Sequence, residues 1–349
     1  MRYNKLGQTN IDVSAIALGT MTWGEQNTEQ EAHQQIDFAL AQGINFIDTA
    51  ELYPVPPKPE TQGLTEQYIG TWLAKFGQRD KIILASKVVG PSSGNGGTDH
   101  FRNGQSRHNK VNIEQALHDS LTRLQTDYLD LYQLHWPDRH TNFFGQLGYS
   151  HLEQDDSTPI LETLSVLNDL VQAGKIRHIG LSNETPWGIS QFLHLAEKHD
   201  LARVVSVQNP YNLLNRTYEI GTAEISIREH AGLLAYSPLA FGHLTGKYLN
   251  GALPEGARIT KWQRFSRYKS ENAIKATELY VALAKKHGID PAQLALAFIN
   301  QQPFVTSNII GATNLQQLKT NIDSIDVILS EDILAEIANI HQRYPNPSP

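Results

Sequence analysis

The stretch TEQEAHQQIDFALAQGINFIDTAELYP, residues 28–54, decides the fold. In its first half Ala32, Ile36, Ala39 and Leu40 share one face of a 3.6-residue repeat, and Gly43 supplies the residue that stops a helix. The second half, INFIDTA (44–50), is a short apolar run that suits a buried strand. An amphipathic helix feeding a buried strand through the short connection AQG is the repeating unit of a parallel sheet. The polar, proline-rich loop that follows puts Asp48 and Tyr53 at the C-terminal end of that strand.

The same alternation fills the chain on both sides. Strands are expected at 15–20, 44–50, 82–88, 128–135, 176–183, 204–209, 233–239 and 308–312, with helical patterns such as NIEQALHDSLTRL and ENAIKATELYVALAKKHG between them. Eight such units fit closure into an α/β fold of the (β/α)8 TIM-barrel type better than an open sheet, and predict one domain over residues 1–349. YNKLGQTNIDVS reads as an N-terminal β-hairpin and SEDILAEIANI as a closing helix. Helix-to-strand connections are short, whereas the long loops 90–110, 136–157 and 240–269 all follow strand C-terminal ends, the face on which barrel enzymes build their sites.

Composition narrows the function. With 29 Lys and Arg against 36 Asp and Glu, a net charge of -7 argues against a nucleic-acid partner. No long apolar run suggests a membrane span or a leader, so a soluble cytoplasmic protein is expected. The absence of cysteine removes disulfides, thiolate zinc sites and a cysteine nucleophile. No G-x-G-x-x-G follows a strand, GNGG (94–97) has the wrong spacing, and neither a G-x-x-x-x-G-K-[ST] loop nor an H-E-x-x-H helix is present.

What remains is a set of ionisable residues at successive strand ends: Asp48, Tyr53, Lys87 and His135. In a barrel these ends lie side by side around one opening. A nearby ammonium is expected to lower the phenol's pKa and make Tyr53 an acid, while Asp48 holds Lys87 ionised and a neutral His135 orients a substrate oxygen. Taken singly, a strand-end Lys is often only salt-bridged and an Asp often only caps a turn; the combination suits a carbonyl being reduced. Further round the rim, Ser182, Asn183 and Gln208 offer groups for a carboxamide and Tyr236 a flat face for a nicotinamide. Backbone amides from Ser237 to Leu244, helped by Lys247, suit a pyrophosphate, and the strand-loop-helix start IIGATNLQQLKTN (309–321) suits another phosphate.

With these residues in hand, the whole chain resembles the aldo-keto reductase superfamily, and within it the bacterial Tas-like NADP(H)-dependent reductases, with potassium-channel beta subunits more distant. INFIDTAELY resembles the family's Asp and Tyr motif, ASKV its Lys motif and LYQLHWPD its His motif, in family order. The resemblance implies a catalytic tetrad of Asp48, Tyr53, Lys87 and His135 with Tyr53 as proton donor. It also implies that Ser182, Asn183 and Gln208 hold the carboxamide, that Tyr236 stacks on the ring, that Ser237, Leu239, Gly242, Lys247 and Arg258 meet the pyrophosphate, and that Gly311, Thr313, Gln317 and Asn321 meet the adenosine end. The cofactor implied is NADPH, with no metal, and the substrate a small carbonyl compound. Many relatives grip the 2′-phosphate with a Lys and an Arg where this chain has Gly311 and Gln317; Lys247, Arg258 or Lys319 are the candidates to replace that charge. Trp23 and Trp136 are candidate substrate-binding walls. Two rivals stand beside a reductase: a cofactor-binding interaction protein with little turnover, and a metal-dependent hydrolase built on His135, Asp138 and His140.

Overall fold

The computed structural model describes residues 1–92 and 98–348, so GNGG (94–97) lies outside the described residues. Strands β1 (Tyr3–Lys5) and β2 (Asp12–Ser14) form the expected antiparallel hairpin. Then come β3 (Ile16–Gly19), β4 (Phe46–Asp48), β5 (Ile83–Val88), β6 (Leu129–Leu134), β7 (Ile176–Ser182), β8 (Val204–Pro210), β9 (Gly232–Tyr236) and β10 (Val305–Ile310). Each pairs in parallel with the next, and β10 closes on β3, giving a closed barrel of the (β/α)8 type.

The opening stretch folds as its pattern dictates. Thr28 and Glu31 form a reciprocal capping box at the start of helix Glu29–Ala41, whose buried Ala32, Ile36 and Ala39 pack on the barrel wall. Gly43 then takes φ 84°, a left-handed turn into β4. Helices Lys110–Leu124 and Glu271–Lys286 bury the apolar faces of the two other quoted patterns, and Glu331–Arg343 is the closing helix.

The barrel interior is layered, because side chains two residues apart on a strand point the same way. Leu6 and Val13 of the hairpin plug the bottom beneath Ala17, Phe46, Ala85, Leu131, Val205, Leu234 and Ile309. One step of two residues higher, Phe46 gives way to Asp48, Ala85 to Lys87 and Leu131 to Gln133, so a polar layer rests on an apolar floor. Gly180 makes room for it: a Cβ there would lie 2.9 Å from Gln133 Cγ. Above the polar layer, Ala50, Leu52, Tyr53, Val89, Phe101 and Trp136 form a separate apolar cluster at the mouth.

Candidate active site

Lys87 is the centre of the polar layer and is fully buried. An ammonium has three hydrogens, and the Lys87 Nζ neighbours are Asp48 Oδ2 at 2.7 Å, the Thr49 carbonyl at 2.8 Å and the Tyr53 hydroxyl at 3.4 Å. The other carboxylate oxygen, Asp48 Oδ1, accepts from Gln208 Nε2 at 2.8 Å and Gln133 Nε2 at 3.2 Å. Burial alone would push the Lys87 pKa down, but Asp48 and then Tyr53 outweigh it, so the ammonium is held above its ordinary value.

Tyr53 behaves differently from the sequence expectation. Lys87 does pull its pKa down, yet burial is the larger effect and Asp48 adds to it, so the net shift is upward. Tyr53 is therefore held as a phenol with its proton in place. Its ring meets the His135 ring edge-on at a centroid distance of 5.8 Å. Burial, and then the Lys87 charge, push the His135 pKa well below the usual range, so it is a neutral imidazole.

These groups open into one cleft of about 1830 Å³, walled by Asp48, Tyr53, His135 and residues from every later strand end. Ser182, Asn183, Gln208, Tyr236, Ser237, Leu239, Gly242, Lys247, Arg258, Gly311, Thr313, Gln317 and Asn321 all line it. Asn183 takes φ 54° and is fixed from three sides: Nδ2 donates to the His135 carbonyl at 2.8 Å and to Ser182 Oγ, and Oδ1 accepts from the Tyr236 hydroxyl at 2.6 Å. At the far end Thr313 donates to Gln317 Oε1, and Asn321 donates to the Gly311 carbonyl.

Three expectations need correction. Trp23 is not among the described walls of the cleft; it is fully buried, with its indole N–H on Gln35, while Trp136 does line the cleft and hangs by its indole N–H from the Pro91 carbonyl. Gly90 permits that placement, since a Cβ there would lie 2.5 Å from the Trp136 ring. Along 237–244, the amides of Ala240, Gly242 and Leu244 already bond the carbonyls of Ser237 and Leu239, which narrows the backbone groups that could meet an anion to the rest of the segment. Lys319 bonds Asp323 at 2.6 Å and is not among the described cleft residues.

Sequence reasoning also missed participants. Gln133 holds Asp48, and its signal was an isolated amide inside the apolar run LDLYQL. Arg264 and Arg267 join Lys247 and Arg258 in the cleft wall. Arg258 sits by the rings of Phe241 and Phe265, and the groups acting on its charge besides burial are the phenols of Tyr248 and Tyr53. The metal-hydrolase trio does not assemble: Asp138 is taken by the backbone N–H groups of His108 and Thr158, and no group of three or more metal-ligating side chains occurs among the described residues.

A sequence model of the Aldo/keto reductase family matches residues 15–342. The chain belongs to that family. It is 58% identical over 349 residues to Protein tas of Escherichia coli (strain K12), covering 100% of both chains. To Uncharacterized oxidoreductase YrpG of Bacillus subtilis (strain 168) it is 35% identical, over 99% of this chain and 97% of the relative. To a Probable voltage-gated potassium channel subunit beta of Arabidopsis thaliana it is 29% identical, over 99% of this chain and 98% of that one. This Tas-like aldo-keto reductase is thus an oxidoreductase of carbonyl groups, in a family that generally uses a nicotinamide cofactor. The donor set fits such a dinucleotide: an aromatic face at Tyr236, unoccupied space around Gly311, and four cations from the segment 247–267. No helix among the described residues is long and apolar enough to cross a membrane.

Proposed function

We propose that the chain catalyses the reversible NADPH-dependent reduction of aldehydes or ketones to alcohols, with Tyr53 as the proton donor. The observation that carries this is the Lys87 ammonium, whose hydrogens face Asp48, Thr49 and the Tyr53 hydroxyl together. When bound, the nicotinamide supplies the hydride. Tyr53 gives its proton to the carbonyl oxygen, and the phenolate left behind faces the third hydrogen of Lys87. Asp48 keeps that ammonium charged in a buried place, and Gln133 and Gln208 keep Asp48 aimed at it. Neutral His135 donates an N–H to the same oxygen and orients it. Ser182, Asn183, Gln208 and Tyr236 are assigned to the nicotinamide end, and Gly311, Thr313, Gln317 and Asn321 to the adenosine end, with Lys247 and Arg258 over the phosphates. Trp136 forms a wall for an apolar substrate.

The test is oxidation of NADPH by a nitro-substituted benzaldehyde, followed by the absorbance of the reduced cofactor. Tyr53→Phe is expected to lose about 10²–10⁴-fold in turnover, the usual worth of a positioned acid. Full turnover in that variant would remove Tyr53 from its role. The likeness to a relative named as a channel beta subunit supports a second reading, a cofactor-binding interaction protein with little turnover. Tight NADPH binding without turnover over a broad carbonyl panel, together with a stable partner protein, would favour it.

A further inference from the structure

Two histidines behind the mouth hold more hydrogen-bonding capacity than the reductase chemistry uses. His135 and His108 are both buried, and each has one buried ring nitrogen, His135 Nδ1 and His108 Nε2, with no protein partner. They are neighbours. The His135 amide bonds the Val88 carbonyl at 2.9 Å at the end of β5, and the His108 ring donates to the carbonyl of Val89, the residue just after that strand. The His108 amide bonds Asp138 Oδ2 at 2.5 Å, on the loop that His135 begins, and the Thr163 hydroxyl bonds the His108 carbonyl at 2.9 Å. His108 is therefore fixed on both sides of its backbone.

The protons can be counted. Burial pushes both imidazoles down, His108 to about 4, so at neutral pH each carries a single N–H. The His108 N–H is spent on Val89, and because Nε2 has no partner the donor is Nδ1; His108 Nε2 then carries a lone pair. His135 lines the cleft, and Nε2 is the ring nitrogen left to face it, so donation to a substrate oxygen requires a lone pair at His135 Nδ1. Two lone pairs cannot bond one another. Water, with two O–H bonds, satisfies both; a cavity of about 330 Å³ lined by His108, Leu134, Pro137 and Asp138 reaches the His108 side, and His135 lines the main cleft on the other.

We propose that one buried water donates to His108 Nε2 and to His135 Nδ1 at once, and that His108 is thereby the positioning residue that fixes His135 as the tautomer donating from Nε2. The inference rests on the reductase reading for its purpose, but its geometry is tested without turnover. In the full-length protein carrying ¹⁵N-labelled imidazoles, with no cofactor added, His135 is expected to show a protonated Nε2 and an unprotonated Nδ1 at neutral pH. His108→Leu removes one anchor of the water and is expected to mix the two His135 tautomers and lower kcat/KM about tenfold, the low end for an outer-shell partner. His108→Gln keeps a polar end and is expected to restore both. A protonated Nδ1 on His135 in the unaltered protein, or an unchanged His135 signal in His108→Leu, overturns the proposal. If the leucine variant does not fold, the spectrum of the unaltered protein still decides. No oxidation of NADPH by any carbonyl compound in the unaltered protein, alongside the expected tautomer, would sink the reductase assignment and leave the water bridge standing.

Discussion

The floor of the cleft and its rim treat charge in opposite ways. On the floor every ion has its complement: Lys87 has Asp48, and behind the barrel wall Glu51 has Arg102, Glu66 has Arg123 and Asp130 has Arg79 and Arg177. On the rim, Lys247, Arg258, Arg264 and Arg267 come from one segment; Lys247 and Arg258 lie by aromatic rings, and Arg267 lies by the Phe241 ring and bonds the phenols of Tyr236 and Tyr268, so none of these three has a carboxylate among its described contacts. A fully buried ion left unpaired would cost about 3–5 kcal/mol, a large share of a fold's stability, so the floor is complete before any ligand arrives. A half-buried cation costs far less, so the rim can present one half of an ion pair and leave the other to a polyanion. The floor therefore bears chiefly on chemistry and stability, the rim chiefly on affinity.

Breaking the floor should give the largest effect. Lys87→Met leaves Asp48 buried without its counter-ion, and about 3–5 kcal/mol of stability is expected to go with it. Turnover should fall at least as far as in Tyr53→Phe. Urea unfolding and NADPH oxidation measure the two losses, and a stability change below about 1 kcal/mol would mean that the pair is not isolated from solvent as its burial implies.

A loss of similar size is expected in acid, and it draws on both regions. His108 at the mouth and His243 in the rim segment are each pushed down to about 4, foremost by burial and, for His243, also by Lys269 and Lys247. Both are neutral in the folded chain, whereas the unfolded chain takes up protons below its ordinary histidine pKa of about 6.5. Their contribution is thus complete above that value and is lost as pH falls through it towards 4, up to about 3 kcal/mol for each. Thermal melts across that window should steepen accordingly. His243→Phe, which removes the group, should flatten part of the slope.

Most of this could be read from the sequence because the barrel repeats one rule. An apolar residue at 46, 85 or 131 followed two places later by Asp48, Lys87 or Gln133 is period-two placement, and parallel neighbours bring the three together. The rule stops where a competition or a loop direction decides. The sign of the Tyr53 shift depends on burial outweighing an ammonium, which residue types alone do not weigh. Trp23 and Trp136 both follow strands, yet Trp23 is fully buried with its carbonyl accepting from Thr65, and Trp136 packs against Gly90 at the cleft. That difference sits in loop geometry. It predicts that Trp23→Ala costs about 3–5 kcal/mol, as for a buried aromatic, whereas Trp136→Ala acts more on substrate KM.

The rim gives the smaller and more discriminating effects. Arg258→Met should weaken binding of NADPH about tenfold, the loss of one ionic contact, without lowering the melting temperature of the free chain. Burial pushes the Arg258 pKa down, so its charge is a burden on the folded state until an anion meets it. Lys319 is the control for this contrast. It was a candidate for the same phosphate, but it lies one residue beyond buried Leu318 on helix Leu315–Asp323 and pairs with Asp323 along the helix surface. An exposed pair of that spacing is worth about 0.3–0.5 kcal/mol, so Lys319→Ala should barely change stability and should leave NADPH affinity where it was. Calorimetric titration of both variants makes the comparison. Weaker binding in Lys319→Ala, with Arg258→Met unaffected, would move the phosphate contact off the 247–267 segment and onto the helix, and the division between a complete floor and a waiting rim would have to be redrawn around that helix.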